Sequence, residues 1–122
     1  DGVNWPNKGI VVKKTDCNEV FGYGRSAIIK RNNKFHGWIS VRTYNGYKIG
    51  YCYSKDGKKW SDFDFTNRGL KPKKDSKTQN FEVSFPSLIV NTDKTYMFYN
   101  GNNFGEDGVM VAEANTKELF GE

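Results

Sequence analysis

The chain has 122 residues, room for one small domain or a piece of one. Hydrophobic residues make up 36% and aromatics 16%, little Leu, Ala or Met is left for a helical core, and no apolar run approaches a membrane span. A helix bundle, a disordered chain and a membrane protein are thereby excluded, and the net charge of +5, mostly Lys, leaves an all-β domain with a basic surface.

The chain begins at Asp1 without a visible signal or transit segment, so its start reads as trimmed or partial. Cys17 and Cys52 lack metal-ligand spacing, and with one His no metal site is expected. A bridge between the two remains open, but Cys52 lies in an apolar alternation where a buried thiol is commoner. Ser26–Lys30 and Phe35–Ser40 read as strands joined by the turn Arg31-Asn32-Asn33. Asn45-Gly46 then marks a hairpin into a third strand, Tyr47–Ser54. Asp56-Gly57 turns the chain into an outer strand near Trp60. The run Lys71-Pro72-Lys73-Lys74 reads as a solvated linker rather than a nucleic-acid surface, because no stacking aromatics alternate with it. No nucleic-acid or membrane partner is expected. Pro86–Val90, Tyr96–Asn100 and Val109–Ala114 are three further strands, and Asn115–Phe120 one terminal turn.

The second trio repeats the first at an offset of 60: Ile28 falls on Leu88, Ile29 on Ile89, Trp38 on Phe98, Ile49 on Val109 and Cys52 on Ala112. An echo at offset 55 sets Asp1-Gly2 and Trp5 on Asp56-Gly57 and Trp60. Short strands recurring every 50–60 residues or so are a sign of propeller blades; a β-sandwich is the competing fold. The expected architecture is all-β, two four-stranded antiparallel blades of an incomplete five-bladed β-propeller. Residues 6–60 would form the first blade, 61–115 the second and 116–122 a tail. Two blades cannot close a ring. The chain is therefore expected to self-associate or to belong to a larger propeller. Trp38, Phe98 and Tyr51 are expected in the core.

Three segments carry a resemblance. Tyr47 to Trp60 resembles a recurring strand and turn of the pattern YrIGyAtSkDGxxW, Phe85-Pro86-Ser87-Leu88-Ile89 resembles a blade-opening strand, and Tyr96 to Asn102 resembles YMfYnGn. Together they are similar to the five-bladed propeller glycoside hydrolases, the arabinanase, xylosidase, invertase and levansucrase group. The resemblance implies a carbohydrate ligand, no cofactor, and carboxylates at the entrances of the innermost strands. Many members carry the acid Glu just before the Pro that opens a blade. Here Ser84 holds the position two before Pro86, and Glu82, two residues earlier on the same strand face, becomes the candidate catalytic carboxylate; a solvated loop Glu is its rival reading. The other entrance, Tyr23-Gly24-Arg25-Ser26, has no carboxylate, and Arg25 is a candidate for binding sugar hydroxyls or for a peripheral ion pair. The hairpins add Arg42, Tyr44, Asn102 and Asn103, beside Ser84, as candidate sugar contacts; a packing role is an equal reading for Tyr44, and Phe104 reads as packing. His36 reads as structural. With an incomplete carboxylate set, the expected function is carbohydrate binding or processing as part of a propeller; the alternative is a non-catalytic blade protein that assembles into an oligomer.

Overall fold

In a computed structural model that describes residues 4–6, 9, 12 and 19–122, the six inner strands form, each longer than its apolar centre. β1 (Val20–Arg31), β2 (Lys34–Thr43) and β3 (Gly46–Ser54) make one antiparallel sheet in that order; β4 (Ser84–Val90), β5 (Lys94–Asn100) and β6 (Val109–Asn115) make a second. The helical pieces are one-turn: α1 (Asn102–Gly105) and the terminal α2 (Thr116–Phe120). Asn115 caps α2, its Oδ1 accepting from Glu118 N–H, and Gly121 ends it in the left-handed region. No described helix is long and apolar enough to cross a membrane.

The offset of 60 holds in the hydrogen-bond register. Ile28 pairs with Gly37 and Gly37 with Cys52; Leu88 pairs with Met97 and Met97 with Ala112. Trp38–Tyr51 has its counterpart in Phe98–Val111. Both first strands also lose register within one residue of corresponding places, between Tyr23 and Ser26 and between Ser84 and Ser87.

Four strands per sheet were expected; each sheet has three. Beyond β3 the chain touches the sheet edge only at two isolated bridges, Ile49–Leu70 and Tyr51–Asp64. Ser61 N–H adds a bond to the Tyr53 carbonyl. The reason is local. Asp56 accepts from Lys59 and Lys58 N–H, which pulls its carboxyl down to about 2, and Asp64 accepts from Thr66, Asn67 and Arg68 N–H. These side chains take the donors that a fourth strand would use in a ladder. The same pairings attach residues 61–70 to the first sheet, whereas the repeat boundary places them with the second.

The core lies between the sheets. Ile29, Trp38, Ile49 and Tyr51 of the first sheet meet Leu88, Val90, Met97, Tyr99, Met110 and Ala112 of the second, closed by Val83, Leu70, Leu119 and Phe120. Trp38 Nε1 donates to the Arg68 carbonyl and is fully buried. Phe98, expected in this core, is instead on the outer face of the second sheet and 38% exposed. Period-two alternation is satisfied with either face inward, and the second sheet turns the face of Met97 toward the core. Cys52 carries a buried thiol whose pKa burial pushes up to about 12; Cys17, and with it any bridge, lies outside the described residues, as does the Asp1-Gly2 echo.

Candidate functional site

The hairpin that joins β2 to β3 has Tyr44 and Asn45 as its loop, and Gly46 follows with φ +87°. Glycine is required there twice over. Its backbone is left-handed, and a Cβ would lie 2.9 Å from Glu82 Cβ and 3.0 Å from the Phe81 carbonyl. The segment before β4 thus lies directly on the hairpin, held by Val83 N–H to the Tyr47 carbonyl at 2.9 Å. Where they meet, Arg42, Thr43, Tyr44, Gly46, Tyr47, Phe81, Glu82 and Phe104 line a cavity of about 350 Å³.

Glu82 is only 6% exposed, and its Oε1 accepts from Phe104 N–H at 3.3 Å. Its main chain is fixed from below by Asn102, whose Oδ1 accepts from both Phe81 N–H (3.0 Å) and Glu82 N–H (3.1 Å). Asn102 Nδ2 donates in turn to Asn80 Oδ1, and its N–H to the Thr78 carbonyl. An aromatic wall stands beside the carboxylate: Phe104 stacks on Phe85 at 5.7 Å, and Tyr47 lies 6.0 Å from Phe104. Tyr44 is 72% exposed and packs edge-on against Phe21. At the rim, then, is an open aromatic face; at the base, a buried carboxylate.

The expected site residues divide accordingly. Glu82, Arg42 and Tyr44 converge on the cavity. Asn102 supports it without lining it. Asn103 is turned aside, its Nδ2 donating to Glu106 and its backbone left-handed. Ser84 is fully buried behind Glu82, with an Oγ that has no hydrogen-bond partner. Arg25 is exposed and lines no part of the cavity; its carbonyl accepts from Ser40 Oγ at 2.9 Å. That hydroxyl also accepts from Phe85 N–H at 2.8 Å, so one serine ties the two strand entrances together. Phe104, read as packing, packs and lines the cavity at once. Sequence inspection did not single out Tyr47 and Phe81, although each adjoins a residue it did single out, Gly46 and Glu82. Among the described residues, no three His, Cys, Asp or Glu side chains gather to hold a metal ion.

No protein-family model matches the chain, and no curated protein or solved structure matches it either.

Proposed function

We propose that this chain binds a short saccharide in the cavity between the β2–β3 hairpin and the segment before β4, as part of a glycoside-hydrolase-like propeller. The observation that carries the reading is the convergence of Arg42 and Tyr44 with Glu82, about forty residues further along the sequence, on one cleft with an aromatic wall. Each group has a task in sugar recognition. The rings of Tyr44, Phe81 and Phe104 offer apolar faces to the C–H side of a pyranose. Glu82 accepts from hydroxyls, and the Arg42 fork donates to them. A volume of about 350 Å³ is at the lower end of small-molecule clefts, roughly 300–1,000 Å³. The blade reading draws support from the repeated strand register and from β1 being the strand of the first sheet that β4 meets most.

Glycoside hydrolysis needs two carboxyl groups about 5–9.5 Å apart across the scissile bond. Among the described residues, Glu82 is the only acid that lines this cavity. The chain by itself therefore binds without turning over. Calorimetric titration with arabino-, xylo- and fructo-oligosaccharides tests this. Arg42→Ala and Tyr44→Ala should each weaken binding by about 1–3 kcal/mol, and neutralising Lys73 and Lys74 should leave it unchanged. Binding indifferent to both cavity substitutions would overturn the assignment. Hydrolysis of an aryl glycoside, lost in Glu82→Gln, would restore a catalytic role. The alternative of a non-catalytic blade protein that assembles is favoured by the outer face of the second sheet.

A further inference from the structure

Ile29, Trp38, Ile49 and Tyr51 form the first sheet's share of the core. Sixty residues later, in the same register, stand Ile89, Phe98, Val109 and Val111. All four are apolar, and they are 53%, 38%, 72% and 58% exposed. The second sheet thus presents to solvent the positional copy of a face that the first sheet buries, with the Lys94–Glu113 ion pair at its edge.

The opposite faces correspond as well. Leu88, Met97, Met110 and Ala112, which pack on the Trp38 face, are the copies of Ile28, Gly37, Gly50 and Cys52 on the outer side of the first sheet. Phe120, which packs edge-on to Trp38 at 6.0 Å inside the junction, is the copy of Trp60. Trp60 lies on that outer side: a Cβ on Gly37 would come within 3.0 Å of its ring and of Ile28 Cδ1. Ile28 is 44% exposed. The internal junction therefore joins unlike faces. A contact of that kind is heterologous. Among the described residues it leaves the Phe98 face of the second sheet open, and on the outer side of the first sheet, where Phe63 and Phe65 lie over Gly50, it leaves Ile28 open beside Trp60.

We propose that the Ile89, Phe98, Val109 and Val111 face binds the Ile28 and Trp60 face of a second copy of this chain, head to tail, repeating the junction already present between its two sheets. Trp60 of one copy then meets Phe98 of the next, as Phe120 meets Trp38. The contact closes into a ring or extends as a filament according to the rotation per copy. It involves no residue of the saccharide cavity, so either proposal can fail alone.

Sedimentation equilibrium over a wide concentration range, with tryptophan fluorescence in a Trp5→Phe background that keeps Trp38 and Trp60, tests it. Wild-type chain should associate, and the Trp5→Phe chain should shift its emission as it does, a change owed to Trp60 because Trp38 is already fully buried. Phe98→Lys and Ile28→Lys, on opposite faces and both at exposed positions, should each weaken self-association by about tenfold or more with unchanged circular dichroism. Mixed one to one, the two variants should form a dimer that grows no further, because one intact face of each kind remains. A wild-type chain that stays at 14.0 kDa throughout overturns the proposal. So does an Ile28→Lys chain that associates like wild type, which would mean that the exposed face pairs with itself.

Discussion

His36 is the chain's single histidine, 2% exposed, with Nδ1 2.8 Å from the Tyr51 hydroxyl and the Phe120 ring edge-on at 4.8 Å. Burial lowers its pKa, the cations of Arg68, Lys34 and Arg31 act in the same direction, and the Arg31 backbone opposes them in part. A folded-state pKa below the unfolded value means that the unfolded chain takes up the proton first as pH falls. His36 should therefore contribute full stability above about pH 6.5 and lose it as pH drops through and below that value. Urea midpoints measured between pH 7.5 and 5.5, roughly the window spanned by an ordinary His, should decline, and the ring resonances should titrate below the usual range. A ring that titrates at or above the ordinary value would refute this. The sequence showed a His on a strand and nothing of its environment, because the groups that set its pKa come from β1, β3, α2 and the loop at Arg68.

At the scale of elements, Ser40 of β2 holds the bulged starts of β1 and β4 in register with each other. It is fully buried, donates to the Arg25 carbonyl and accepts from Phe85 N–H. Phe85 is left-handed at φ +56°, a conformation that costs a bulky residue energy and needs outside support. Removing the hydroxyl leaves the part-buried Phe85 N–H and Arg25 carbonyl without this partner. Ser40→Ala should destabilise the chain by about 1–3 kcal/mol in urea unfolding, and the cavity at Glu82 should loosen with it; a change within error would show that water replaces the hydroxyl. The strands themselves were legible because alternation and Asn-Gly or Asn-Asn turns are written within a few residues. The two-residue turn Asn32-Asn33 has both residues left-handed, which Asn tolerates better than most. The first sheet's fourth strand failed because Asp56 and Asp64 compete for backbone donors, which a strand pattern does not weigh, and after β6 the chain turns into α2.

For the whole molecule, the junction of the two sheets depends on a residue outside both. Phe120 of α2, 6% exposed, fills the space beside Trp38 and His36, with the Arg31 guanidinium over its ring at 5.0 Å. Arg31 in turn pairs with Glu122, which ties the last residue to the β1–β2 turn. Phe120→Ala should cost about 3–5 kcal/mol, read as a lower urea midpoint, and near-ultraviolet dichroism from Trp38 should weaken. Phe104→Ala, at a ring 58% exposed, should cost far less. Equal losses would mean that the junction is not where stability is concentrated.

By itself, the sequence determined the all-β class, the order of the six strands, their two hairpin turns and the offset of 60, for each is encoded in neighbouring residues or in a repeat of them. Glu82, Arg42 and Tyr44 were also legible as candidates. Only the tertiary structure decided that these three share a cavity while Arg25 and Asn103 do not, since convergence depends on how the hairpin lies against the segment before β4. It decided too that Trp38 is buried while its counterpart Phe98 faces solvent. Alternation states which residues share a face of a sheet, but which face meets another sheet is settled by what packs against it.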